Sequence, residues 1–150
     1  MKKILITGKG SYIGSHFNDY LLNNFKGQYF VDELDMLDSS WKAYDFSSYD
    51  VIYHVAGLAH STPDESQRNL YYQVNTDLAY ETSKKTKDAG VKQFIFMSSI
   101  IVYGSGKVGE DRVITKDGNG RARTNAYIES LLLQTSFKIT NVLCTEKTCS

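Results

Sequence analysis

The chain has 150 residues, with 17 basic and 17 acidic side chains, and a formal net charge of zero gives no support for nucleic-acid or anionic-membrane binding. Its 41% apolar content is ordinary for a globular protein, and this length predicts one domain over residues 1–150. No apolar run approaches the roughly 18 residues that cross a bilayer, and no signal-peptide core follows the amino terminus, so we expect a cytoplasmic protein. Cys144 and Cys149 have no histidine nearby, which predicts free thiols and no metal site.

The amino-terminal stretch predicts a strand, a turn of small residues and a helix in succession. Residues 3–7 form an apolar run typical of a buried strand, and Gly8, Gly10 and Gly14 follow it with the spacing G-x-G-x-x-x-G. Gly8 and Gly10 permit backbone angles that other residues avoid, and Gly14 allows close helix packing or close approach of a ligand. Such a turn aims backbone N–H groups at an anion and predicts a phosphate site. The alternative is a plain strand-to-helix turn.

The remaining predicted elements alternate between helix and strand. A first helix is predicted from the apolar side chains of Ile13, Phe17, Leu21 and Phe25, and Gly27 is a plausible end for it. Further helices are predicted at 62–90, with a bend near Asn75, and at 125–134, and further strands at 28–36, 50–56, 93–97 and 137–143. This alternation predicts an α/β fold with a doubly wound parallel sheet of about five strands and ligands at its carboxyl edge.

Three aspartates near the end of the second predicted strand are candidates for binding a ribose. Asp32, Asp35 and Asp38 lie about 20 residues beyond Gly14, the distance at which dinucleotide-binding sequences place an acidic residue. Asp35 is best placed at a strand end and is our candidate; the alternative is that all three are solvated turn carboxylates. A carboxylate repels a 2′-phosphate, so NAD is favoured over NADP.

Four motifs, in the same order, resemble those of the NAD-dependent epimerase/dehydratase family, extended short-chain dehydrogenases/reductases that act on nucleotide sugars. The opening T-G-x-x-G-x-x-G-S-H is similar to residues 7–16, and H-x-A-[AG] is similar to residues 54–57. A family helix motif resembles residues 75–79, and A-G-V-K-x-F leading to S-S-x-x-V-Y-G resembles residues 89–104. The resemblance implies a Rossmann-type sheet, NAD as cofactor, and a nucleotide sugar or other small molecule as substrate. A homodimer is the candidate assembly, with no nucleic-acid or membrane partner.

The resemblance also implies roles for individual residues. Ser99 would orient a substrate oxygen, and Tyr127 would exchange a proton while hydride moves to or from the cofactor. The cofactor-binding residues would be those of the glycine-rich turn and of two strand ends: Gly8, Gly10, Ser11, Tyr12, Ile13, Gly14, Asp35, Ala56, Gly57 and Ser98. For Ala56 and Gly57 the alternative is close packing at a strand end; for Ser98 and Ser99 it is an ordinary turn.

Three departures from the family pattern leave a second function open. Ser11 replaces a family glycine, Leu131 stands where the Y-x-x-x-K motif has its lysine, and the chain stops at Ser150, so we expect the substrate-binding carboxyl-terminal portion to be missing. Leucine can neither donate to a ribose nor stabilise a phenolate. The alternative to an enzyme is therefore an inactive NAD(P)-binding module, or a truncated remnant, with a sensing or interaction role.

Overall fold

The computed structural model describes residues 1–58, 68–99 and 138–144, which build a parallel five-stranded sheet with helices against it. The elements are β1 (Lys2–Thr7), α1 (Tyr12–Asn24), β2 (Tyr29–Leu34), β3 (Val51–His54), α2 (Arg68–Tyr72), α3 (Leu78–Asp88), β4 (Gln93–Ser99) and β5 (Lys138–Cys144). The strand order is β2-β1-β3-β4-β5, and each neighbouring pair is parallel. The predicted α/β class is confirmed. The chain passes from β1 to β2 on one side and then crosses to β3 on the other side of β1. The strand order therefore reverses between β1 and β3, which is where sheets of this kind bind ligands.

Alternation along the strands separates two apolar cores. Ile4 and Ile6 of β1 pack with Tyr53 of β3 on the face that α1 covers. Leu5 packs with the residues of the opposite face, which α3 covers through Ala79. Successive side chains of a strand point to opposite faces, so a strand buried on both faces reads as a continuous apolar run.

Several predicted boundaries differ from the observed ones. Helix α1 ends at Asn24, and Gly27 lies beyond it in the connection to β2 with φ +74°. The described part of the predicted helix 62–90 is interrupted by a π-helical segment at Gln73–Asp77, which coincides with the expected bend. The predicted helix at 125–134 lies outside the described residues. No helix in the described part of the chain is long and apolar enough to cross a membrane.

The segment between β2 and β3 covers one sheet face without a full α-helix. It contains a 3₁₀ turn at Ser39–Ala43, and it buries Trp41, Phe46 and Tyr49 in the core beneath α3. The Tyr49 hydroxyl donates to Asp32 Oδ2 of β2 at 2.6 Å. Burial, followed by this hydrogen bond, raises the pKa of Tyr49 above its usual range. These large side chains supply the apolar cover that a packed helix would otherwise give.

Truncation of Phe46 tests whether this segment is part of the core. Phe46 is 1% exposed, so Phe46→Ala is expected to lower the free energy of unfolding by about 3–5 kcal/mol. Leu37 belongs to the same segment but is 94% exposed, and Leu37→Ala should change stability by no more than about 0.5 kcal/mol. Urea unfolding followed by circular dichroism measures both. Equal effects of the two substitutions would show that the segment is peripheral.

Candidate functional site

The turn after β1 requires glycine for two separate reasons. Gly8 adopts φ +117° and Gly10 adopts φ +74°, backbone conformations that L side chains rarely take. A Cβ at Gly8 would also lie 2.8 Å from the backbone nitrogen of Ala56, whereas one at Gly10 would meet nothing within 4 Å. The close approach at Gly8 therefore brings the end of β1 directly against the chain that leaves β3.

The start of α1 is fixed by Ser11 and Gly14. Ser11 is the N-cap of the helix, and its Oγ accepts a hydrogen bond from the Gly14 N–H at 3.2 Å. A Cβ at Gly14 would lie 3.0 Å from Cγ2 of Ile6 and 3.4 Å from Cγ2 of Val55. Of the two roles left open for Gly14, the described structure shows close packing of α1 on the sheet. Ser11, a departure from the family glycine, caps the helix instead.

Most backbone N–H groups of this turn already have acceptors, and two N–H groups are left for a ligand. Five of the seven N–H groups from residue 8 to residue 14 have hydrogen-bond acceptors: those of Gly8, Lys9, Gly10, Ser11 and Gly14. The N–H groups of Tyr12 and Ile13, the first two residues of α1, have no hydrogen-bond acceptor within the part of the chain that the structure describes. The first turn of α1 also carries no acidic side chain. Two N–H donors at the positive end of a 13-residue helix are therefore available to an anion.

Glu33 is the carboxylate that contacts this turn. The sequence spacing had pointed only to the three aspartates. Its Oε2 accepts a hydrogen bond from the Gly10 N–H at 3.1 Å, and its Oε1 lies 3.4 Å from Nδ2 of Asn18 in α1. Tyr29 and Val31 of the same strand pack in the core beneath α1. Their alternation places Glu33 on that face as well, and this period of two was the available signal.

The three candidate aspartates all accept hydrogen bonds within the protein. Asp35 Oδ1 accepts from the Leu37 N–H at 2.9 Å, and Asp38 Oδ1 accepts from the Ser40 N–H at 2.7 Å. Hydrogen bonding to Ser40 lowers the pKa of Asp38. Asp32 accepts the bond from Tyr49 described above. A role for Asp35 in binding a ribose stays a prediction, since its carboxylate also closes a local turn.

The chain beyond β3 is held close to the glycine-rich turn by its backbone. The carbonyl oxygen of Thr7 accepts hydrogen bonds from the N–H groups of Val55 and Ala56, at 3.0 and 2.9 Å. Asn75, in the π-helical segment, accepts from the Leu58 N–H at 2.8 Å and donates to the Leu58 carbonyl at 3.1 Å.

Both small residues of the H-x-A-[AG] motif are in tight surroundings. The backbone of Ala56 lies against Gly8, and a Cβ at Gly57 would lie 3.1 Å from Oδ1 of Asn75. Close packing thus accounts for the small residue at 57, whereas the contact of Ala56 with Gly8 is made by its backbone. Their contact with a cofactor stays a prediction.

A fully buried histidine lies behind the turn. His54 is the last residue of β3 and is 0% exposed. The centroid of its ring lies about 6 Å from the ring centroids of Phe94 and Phe96. Its Nδ1 lies 2.7 Å from the Thr7 hydroxyl, and its buried Nε2 has no hydrogen-bond partner among the described residues. Burial lowers the pKa of His54 to about 4, so the imidazole is neutral at pH 7.

The predicted catalytic residues are only partly within the described structure. Ser98 and Ser99 are the last two residues of β4, which runs three positions beyond the His54–Phe96 pair. The topology therefore brings their backbone to the edge that carries the glycine-rich turn. Tyr127 and Leu131 lie outside the described residues.

A family model matches residues 4–136, which include the glycine-rich turn and all four motifs. The chain belongs to the NAD-dependent epimerase/dehydratase family. This membership confirms the resemblance read from the sequence.

Two enzymes with assigned activities are similar to this family member in sequence. UDP-glucose 4-epimerase of Vibrio cholerae is 30% identical over 83% of the chain and 45% of the enzyme. dTDP-D-glucose 4,6-dehydratase of Dictyostelium discoideum is 28% identical over 91% of the chain and 37% of the enzyme. The chain therefore spans less than half the length of these relatives.

Solved structures of the family match nearly the whole chain. DesIV, the dTDP-glucose 4,6-dehydratase of Streptomyces venezuelae solved with NAD and TYD, has a TM-score of 0.79 and 20% identity, covering 95% of the chain and 55% of DesIV. The UDP-Glc/GlcNAc 4-epimerase of Campylobacter jejuni has a TM-score of 0.71 and 22% identity, covering 99% and 56%. A UDP-glucuronic acid 4-epimerase of Bacillus cereus, solved with its nucleotide sugar and NAD, has a TM-score of 0.66 and 26% identity, covering 94% and 55%. The fold is thus shared with NAD-bound enzymes.

The buried His54 predicts a specific pH dependence of stability. Its pKa is about 4 in the folded chain and near the ordinary 6.5 when unfolded, so the unfolded state binds the proton first as pH falls. This contribution to stability is present above pH 6.5 and is lost as pH falls toward 4, by up to about 3 kcal/mol. In His54→Leu the loss of stability over this interval should be smaller by that amount. Chemical unfolding at several pH values measures it, and parallel curves for the two proteins would contradict the assignment.

Proposed function

We propose that residues 1–150 form the dinucleotide-binding domain of an NAD-dependent nucleotide-sugar epimerase, dehydratase or reductase, with NAD bound at the turn after β1. The observation that carries this proposal is the pair of available N–H groups of Tyr12 and Ile13 at the start of α1. A pyrophosphate bonded to both would also interact favourably with the helix dipole. Gly8 allows the turn to lie directly against the chain that leaves β3.

The adenosine half of NAD is assigned to the β2 side of this turn. Glu33 accepts a hydrogen bond from the Gly10 N–H. Its carboxylate would therefore be close to a ribose that follows the pyrophosphate and would accept hydrogen bonds from the ribose hydroxyls. Beyond the end of β2 is a cavity of about 350 Å³ with Met36, Trp41 and Val74 among its lining residues. This cavity offers the adenine an apolar surface. A carboxylate at the ribose favours NAD over NADP.

Family membership supports hydride-transfer chemistry as part of this proposal. Ser99 would hold the substrate oxygen and Tyr127 would act as acid and base, while Ser98 would line the cofactor site. An alternative, an NAD(P)-binding module without turnover, is favoured by one observation: Leu131 stands where the family lysine would stabilise a tyrosine phenolate. Conversion of UDP-glucose by the NAD-loaded chain would exclude this alternative, because a module without turnover leaves the sugar unchanged.

Substitution of Gly8 tests the proposed pyrophosphate site. Gly8→Val places a side chain against the Ala56 backbone and forces the turn out of position, so NAD binding should be lost. Gly27→Val is the matched control. Gly27 also has a positive φ, of +74°, but it has open space around it and lies outside the turn. Calorimetric titration with NAD measures both. If the folded Gly8 variant binds NAD as tightly as the unmodified chain, the site is wrongly placed.

A second pair of substitutions separates the two candidate ribose ligands. Glu33→Gln removes the charge beside Gly10, and NAD should bind about tenfold more weakly, with weaker discrimination against NADP. Titrations of Glu33→Gln and Asp35→Asn with NAD and NADP are compared under the same conditions. Loss of affinity in Asp35→Asn alone would assign the ribose to Asp35, as the sequence spacing predicted.

A further inference from the structure

The side-chain pair formed by Thr7 and His54 joins the last registered residues of β1 and β3. These two residues are partners in the parallel ladder, and both are 0% exposed. The same Thr7 contributes its carbonyl oxygen to the two N–H groups that follow His54 in the chain. The next residue after Thr7 is Gly8, so the pair is the last side-chain link before the glycine-rich turn begins.

The energetics of this pair do not favour histidine on grounds of stability. One hydrogen bond contributes about 0.5–1.5 kcal/mol to folding, whereas a buried polar atom left without a partner costs about 1–3 kcal/mol. His54 has one bonded ring nitrogen and one buried nitrogen with no partner among the described residues. Beside Phe94 and Phe96, an apolar side chain of similar size would remove the unpartnered nitrogen, but it would leave the buried Thr7 hydroxyl without this bond, so the two costs roughly cancel. What the imidazole supplies that leucine cannot is the bond to Thr7.

We propose that His54 is a positioning residue for the dinucleotide site. Its neutral imidazole holds the Thr7 hydroxyl, fixes the end of β1 against β3, and thereby sets where α1 presents the N–H groups of Tyr12 and Ile13. This inference rests on the proposed function for its effect on NAD, but the geometry it describes is present without a ligand. His54 does not touch the cofactor in this assignment.

Two sets of substitutions, at Thr7 and at His54, test the hydrogen bond between these residues by removing, retaining or moving the bonding group. Thr7→Val removes the hydroxyl with little change of volume, while Thr7→Ser retains it. His54→Leu removes the ring nitrogens, His54→Asn places an amide where Nδ1 was, and His54→Gln places it nearer the position of Nε2. The Asn variant leaves more empty space than the Gln variant, so a purely structural role predicts that Asn is the worse replacement.

The full chain is used for calorimetric titration with NAD, thermal unfolding, and amide NMR spectra without ligand. We expect Thr7→Val and His54→Leu to bind NAD about tenfold more weakly, while His54→Leu leaves the melting temperature nearly unchanged, because it removes the unpartnered Nε2 but also the bond to Thr7. Thr7→Ser and His54→Asn should retain affinity within about threefold, and His54→Gln should not. In the ligand-free spectra, the amide signals of Tyr12 and Ile13 should move in the two weakened variants and stay in place in Thr7→Ser.

The outcomes keep this proposal separate from the proposed function. If the unmodified chain binds no NAD but its turn amides still shift in Thr7→Val, the positioning role stands and the assigned ligand is wrong. Unmoved turn amides in both weakened variants, or an affinity that follows the melting temperature across the series, would overturn the role of His54. Should His54→Leu fail to fold, the comparison of Thr7→Val with Thr7→Ser decides alone.

Discussion

The close contact between the end of β1 and the chain leaving β3 is the constraint on which the site depends. Gly8 approaches the Ala56 backbone more closely than any side chain would allow, and the Thr7 carbonyl accepts two N–H groups from the opposite segment. In a parallel sheet, a crevice opens at the carboxyl edge where the strand order reverses, which here is between β1 and β3. The backbone contact fixes one wall of that crevice, and α1 starts from it at a defined place.

The two faces of the sheet serve this contact in different ways. Beneath α1, Gly14 lets the start of the helix pack directly on Ile6 of β1. On the opposite face, Trp41 and Phe46 complete the core with a short segment instead of a packed helix. Asn75 ties the π-helical segment to the chain after β3 through both backbone groups of Leu58. The edge of the sheet is therefore braced from both sides by groups that do not depend on a ligand.

The glycine-rich turn satisfies most of its own backbone and leaves two donors together. Glu33 takes the Gly10 N–H, which keeps that donor from an anion but sets a carboxylate beside the turn. This division matches the two parts of a dinucleotide: donors for the pyrophosphate and an acceptor for the ribose. Membership of an NAD-dependent family agrees with this arrangement.

The sequence by itself determined the α/β class, the order of the described elements, the glycine-rich turn and the family, because periodicity and turn residues are local properties. Element ends were less accurate: β2 was expected at 28–36 and is Tyr29–Leu34, since its pairing partner sets where the ladder stops. Only the tertiary structure decided which carboxylate meets the turn, because Glu33 reaches Gly10 through strand register and Asp35 turns back on Leu37. The pairing of His54 with Thr7 could not be predicted either, since the two residues are separated by 47 positions in the sequence, and that distance does not say which strands become neighbours.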